Sequence, residues 1–135
     1  MLEALIALLI FSLGVLGLVG LQASLARATS SSKYRAEASF LANELIGTMW
    51  TDAPNLASYK TCSTHAPCNR WQTRVNALLP SGTPSLSVCT NSDTSAECSD
   101  DLGYQTVGRV RITITWTVPN EASHTFTTIT TINPN

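Results

Sequence analysis

Hydrophobic and polar positions divide the chain near residue 26. From Met1 to Leu21 the sequence reads MLEALIALLIFSLGVLGLVGL, with Glu3 and Ser12 as its only polar side chains. An apolar run of about 20 residues matches a bilayer core of roughly 30 Å at the helical rise. In lipid such a run can satisfy its backbone polar groups only as a helix. Gly14, Gly17 and Gly20 recur every three residues and would weaken an isolated soluble helix. In a membrane they are candidates for close helix packing. Spacing by three drifts around the helix, so local loosening there is an equal reading.

Beyond Gln22 the pattern becomes amphipathic. Tyr34, Ala38, Leu41, Leu45 and Met49 fall on one helical face, with Arg35, Glu37 and Glu44 off it. That stripe predicts a helix packed on a sheet rather than a cofactor site. Pro54 in Thr51-Asp52-Ala53-Pro54-Asn55 supplies the stop. A single helix of roughly 50 residues would run about 75 Å. Trp71, Val75, Leu78 and Leu79 predict a second, short helix over 69–79, closed by Pro80 and Gly82, with Trp71 as a core anchor. Val110, Ile112, Ile114, Trp116 and Val118 alternate with Arg109, Arg111, Thr113, Thr115 and Thr117, which predicts a strand with one buried face. A turn at 119–123 leads to a Thr-rich strand over 124–132, and a shorter strand is expected around 86–89. The stretch 90–104 is rich in Ser, Thr and Asp and reads as an exposed loop. The expected fold is α+β: a long N-terminal helix, its first half transmembrane, on a small antiparallel sheet with a short second helix. The expected domains are 1–26, the apolar helix half, and 27–135, a head with its sheet at about 84–132.

Composition sharpens the division. The chain is 13% charged, against roughly 25% in ordinary soluble domains. Glu3 is the only charged side chain before Arg27. A net charge of −1 excludes a strongly basic nucleic-acid binder. A cleavable signal is the rival for the first segment, with Ser24-Leu25-Ala26 or Ala26-Arg27-Ala28 as cleavage site. Against it stand a negative first charge and an apolar run beyond the usual 7–15 residues. Arg27, Lys33 and Arg35 all follow the span, which by the positive-inside rule favours a cytoplasmic C-terminal side. Positive residues ahead of Met1 would reverse that preference.

Glu3 is the principal candidate for function. A carboxylate in an apolar helix is costly in lipid unless paired. The plainer reading is a helix N-terminus in the interface, where the dipole favours an acid. The run Met1-Leu2-Glu3-Ala4-Leu5-Ile6-Ala7-Leu8-Leu9 resembles the N-terminus of type IV pilins and pseudopilins. The stretches 14–22 and 36–45, and Trp71 followed by Leu79-Pro80-x-Gly82, are similar to the PilV group of minor pilins. The resemblance implies a basic leader, a Gly and an N-methylated Phe ahead of Met1, and a prepilin peptidase acting on that leader. It also implies that Glu3 pairs with the N-terminal ammonium of a neighbouring subunit. The implied partners are other major and minor pilins and the inner-membrane assembly machinery. The implied location is the bacterial inner membrane with a periplasmic head, then an extracellular filament serving attachment and motility. A minor pseudopilin of a type II secretion system shares the pattern and is the alternative. A secreted binding domain with a cleaved signal is a third reading.

Cys62, Cys68, Cys89 and Cys98 allow three pairings, and they point to an oxidising compartment. Local pairs, 62–68 and 89–98, are expected because each brackets a polar loop. Zinc is a poor rival: His65 lies between Cys62 and Cys68, but no Cys-x-x-Cys accompanies it. Asp93, Glu97, Asp100 and Asp101 lack the EF-hand spacing and read as a solvated acidic loop. His65 and His124 read as exposed loop or strand residues. No nucleophile elbow, phosphate-binding Gly loop or Asn-x-Ser/Thr acceptor occurs. The expectation is therefore a non-enzymatic protein without metal or cofactor.

Overall fold

A computed structural model describes residues 2–90, 93, 98, 107–119 and 121–133, with 23, 26 and 27 described by backbone only. The chain divides into two compact units, Met1–Arg35 and Ala36–Asn135. Apart from Glu3, charge begins at Arg27, whereas packing begins with Ala38, the first fully buried side chain among the described residues. These are separate properties of the chain, and their onsets differ.

The described residues of the first unit are all helical within helix α1, which runs Leu2–Thr51. Residues 2–22 are exposed throughout. Three hydroxyls here bond the helix's own backbone. Ser12 Oγ donates to Leu8 O at 2.7 Å, Thr29 Oγ1 to Leu25 O at 2.9 Å and Ser32 Oγ to Ala28 O at 3.0 Å.

The second unit has an α+β layout. In its part of α1, Ala38, Leu41, Ala42, Leu45 and Met49 are buried, the expected stripe widened by Ala42. Tyr34 of that stripe is only half-buried. The helix ends as Asp52 N–H reaches Thr48 O and Met49 O, just before Pro54. A 3-10 helix then occupies Ala53–Thr61, where only a stop was expected. Its buried residues, Leu56 and Tyr59, with Cys62 after them, are three apart, the repeat of that tighter helix. Helix α2 spans Ala66–Leu78, starting earlier than the expected 69 because Pro67 fits the first turn. Trp71 is buried, and its Nε1–H donates to Leu41 O at 2.9 Å, joining α2 to α1.

Three strands form an antiparallel sheet in the order β1 (Thr83–Val88), β2 (Arg109–Thr117), β3 (Ser123–Thr131). Val110, Ile112, Ile114 and Trp116 of β2 are fully buried, as the alternation requires. The opposite face is lined by hydroxyls. Thr113 and Thr127 Oγ1 atoms lie 3.3 Å apart, and those of Thr115 and Thr125 3.4 Å. The turn from α2 into β1 is tight. A Cβ on Gly82 would lie 2.7 Å from Val75 O, so only glycine fits there. Gly108, at φ 79°, sits where its N–H meets Cys89 O and its C=O meets Ile132 N–H.

Candidate functional site

Glu3 lies in the first turn of α1, at the N-terminal end of the helix dipole. The span Leu2–Gln22 is long and apolar enough to cross a membrane, and none of it is buried. Beyond the adjacent residues and the helix's own backbone, no atom lies within 4 Å of a Cβ placed on Gly14, Gly17 or Gly20, so nothing packed around them requires glycine. Glu3 and the three glycines therefore occur together on a helix surface that its own unit leaves uncovered. By length and composition such a span could serve as a membrane anchor or a signal segment.

The cysteines lie in the second unit. Cys62 is bonded to Cys68 with Cα atoms 4.9 Å apart, and Cys89 to Cys98 at 5.3 Å. The first bridge ties the end of the 3-10 helix to the first turn of α2. The second ties the residue after β1 to the acidic loop. Of that loop's carboxylates, Glu97, Asp100 and Asp101 lie outside the described residues. Asp93 accepts from Lys60 Nζ at 2.5 Å and from Thr90 N–H at 2.6 Å. These bonds, that to Lys60 first, pull its pKa down to about 2. Among the described residues no group of three or more His, Cys, Asp or Glu side chains could hold a metal ion.

Both histidines differ from expectation: each is half-buried against a carboxylate. His65, at the N-cap of α2, donates from Nε2 to Asp52 Oδ2 at 3.1 Å. Tyr59 O–H donates to the same oxygen at 3.2 Å, and Asn55 Nδ2 to Asp52 Oδ1 at 2.7 Å. The Asn55 bond, with those of Tyr59 and His65, holds the Asp52 carboxyl below its ordinary pKa despite some desolvation. Burial, reinforced by the Asp52 charge, pushes the Tyr59 phenol up to about 12. His124 meets Glu121 at 3.3 Å and stacks on the Trp116 ring. Asp52, across a helix end, and Trp116, paired with His124 on the neighbouring strand, were out of sight in the sequence, whereas Glu121 lies only three residues from His124.

A cleft of about 280 Å³ opens between α1 and α2, lined by Glu44, Thr48, Arg70, Trp71 and Arg74. Arg74 pairs with Glu44 Oε1, and Thr48 Oγ1 donates to Glu44 O. Arg74 thus takes up one carboxylate oxygen of Glu44, while Glu44 Oε2 is buried without a hydrogen-bond partner among the described residues, and no nucleophile stands beside a base. The two members of this pair lie thirty positions apart, and no sequence pattern links them. No protein-family model, curated protein or solved structure matches this chain.

Proposed function

We propose that this chain is a minor pilin, anchored in a membrane by the first half of α1 and recruited from there into a type IV pilus. It would help initiate, cap or modify the filament, with attachment and motility as the consequence. The observation that supports this reading is Glu3: one carboxylate in a 21-residue apolar span that no part of its own unit covers. A carboxylate in a bilayer-spanning helix is costly unless it reaches the interface or is paired, so Glu3, in the first turn of the span, calls for an interfacial position or a cationic partner. The N-terminal ammonium of a neighbouring subunit would be such a partner. Breaking a pair of that kind by removing one member costs about 3–5 kcal/mol when it is buried. Pairing would also set register, because only one axial stagger brings the two charges together.

The test is to express Glu3→Ala, Glu3→Gln and Glu3→Asp behind a prepilin leader and compare membrane and sheared-filament fractions. The Ala and Gln variants are expected at normal membrane levels with depleted filament incorporation, and the Asp variant between them and wild type. Normal incorporation of Glu3→Ala would refute the pairing. Mass spectrometry of the mature N-terminus adds an independent check. A chain starting at Arg27 or Thr29 would show a removed signal and eliminate the filament reading.

A further inference from the structure

Strand β3 is an edge strand, and its outward row of backbone groups can be identified. Ile132 N–H donates to Gly108 O at 2.8 Å, and the β2–β3 register continues from there through Val110↔Thr130 to Trp116↔His124. Hydrogen-bonded pairs alternate in an antiparallel ladder. The even-numbered residues of β3 therefore bond β2, while the N–H and C=O groups of Ser123, Thr125, Thr127, Ile129 and Thr131 point away from it. Among the described residues nothing bonds that outward row.

The other edge is managed differently. Cys89 N–H donates to Arg109 O, so Ser85 and Ser87 face β2 and Pro84 falls at an outward position, where its missing N–H removes a donor from the open edge. The 3-10 helix and α2 also lie against β1. Strand β3 has none of these protections: no Pro, no Lys, no charged side chain, over nine residues rich in Thr. Natural sheets rarely leave such an edge open, because it is a template for another strand.

We propose that β3 pairs with β3 of a second copy of this chain, antiparallel about a twofold axis through Thr127. The strand is self-complementary in that arrangement. Thr127 faces its symmetry mate, Thr125 faces Ile129, and Ser123 faces Thr131, so every outward N–H and C=O finds a partner. On the opposite face Phe126 meets Thr128, an aromatic beside a β-branched side chain, a favourable cross-strand combination. No like charges oppose each other along the strand, and at its ends Glu121 comes beside Asn133. A strongly charged partner strand would find nothing here to pair with, whereas a second copy meets no repulsion. This inference does not depend on the filament reading.

The experiment is amide exchange by NMR on the full chain in detergent micelles, at two protein-to-detergent ratios. The outward amides of Thr125, Thr127 and Ile129 are expected to exchange more slowly at the higher ratio. The inward amides of Thr128 and Thr130 are expected to stay protected at both. Thr127→Lys places like charges across the axis and should speed outward exchange about fivefold or more. Thr127→Glu alone should do the same, and an equimolar mixture of the two should restore protection. Protected inward amides certify that each variant is folded. Should the Lys variant lose that protection, Thr127→Pro, which lacks only an outward N–H, takes its place and should abolish the concentration dependence. Fast outward exchange at both ratios would overturn the proposal. So would wild-type protection in both single variants, or a mixture that fails to recover it.

Discussion

Trp116 has no exposed surface, yet its indole N–H finds no acceptor among the described residues. Its contribution is therefore packing, with an unsatisfied donor set against it. Trp116→Ala should destabilise the protein by about 3–5 kcal/mol in urea unfolding. Trp116→Phe should cost distinctly less, because it removes the donor along with part of the ring. Thr115→Ala, on the hydroxyl face, should stay within about 0.5 kcal/mol. Equal losses for Trp116→Ala and Thr115→Ala would contradict the assignment of faces. That assignment was legible in the sequence, since a period of two leaves Trp116 one choice of side. The demands on glycine were not legible. At Gly108 the positive φ arises from joining Cys89 and Ile132, far apart in the chain, to one residue. Gly108→Ala should cost about 1–2 kcal/mol by the same urea measurement.

Among elements, α1, α2 and β2 follow from the hydrophobic pattern, and β3 from its run of Thr after a turn. The 3-10 helix Ala53–Thr61 does not, because its apolar residues repeat every three positions and Pro54 reads as a stop. This missed element carries much of the polar structure of the second unit. Tyr59 and Asn55 bind Asp52 from it, and Lys60 binds Asp93. Both carboxyls have folded-state pKa values below the ordinary 3.8. Their stabilisation is fully present above that value and is lost as pH falls through the folded value, about 2 for Asp93. The urea midpoint should therefore decline as pH is lowered from 4 toward 2, with each carboxyl contributing. Asp52→Asn and Asp93→Asn should each lower the midpoint at neutral pH and flatten that acid limb. An unchanged acid limb in both variants would show that these contacts do not bear on stability.

Across the whole molecule, composition announced the apolar segment and the cysteines announced an oxidised domain. The onset of packing at Ala38 and the open edge of β3 needed coordinates, because both depend on which residues meet through space. Non-reducing peptide mapping should recover cross-links only within 62–68 and within 89–98. A link between those segments would contradict the connectivity. Each bridge closes a short loop and should add about 2–3 kcal/mol. The order of pairing has a consequence for biogenesis. In chain order the first cysteine is joined to the second, and the third to the fourth. If the chain emerges N-terminus first, each thiol meets its correct mate before a wrong one has appeared. Oxidation in order of arrival then yields the native bonds directly. Maturation of this domain should need a disulfide-forming oxidant but no isomerase to correct mispaired bridges.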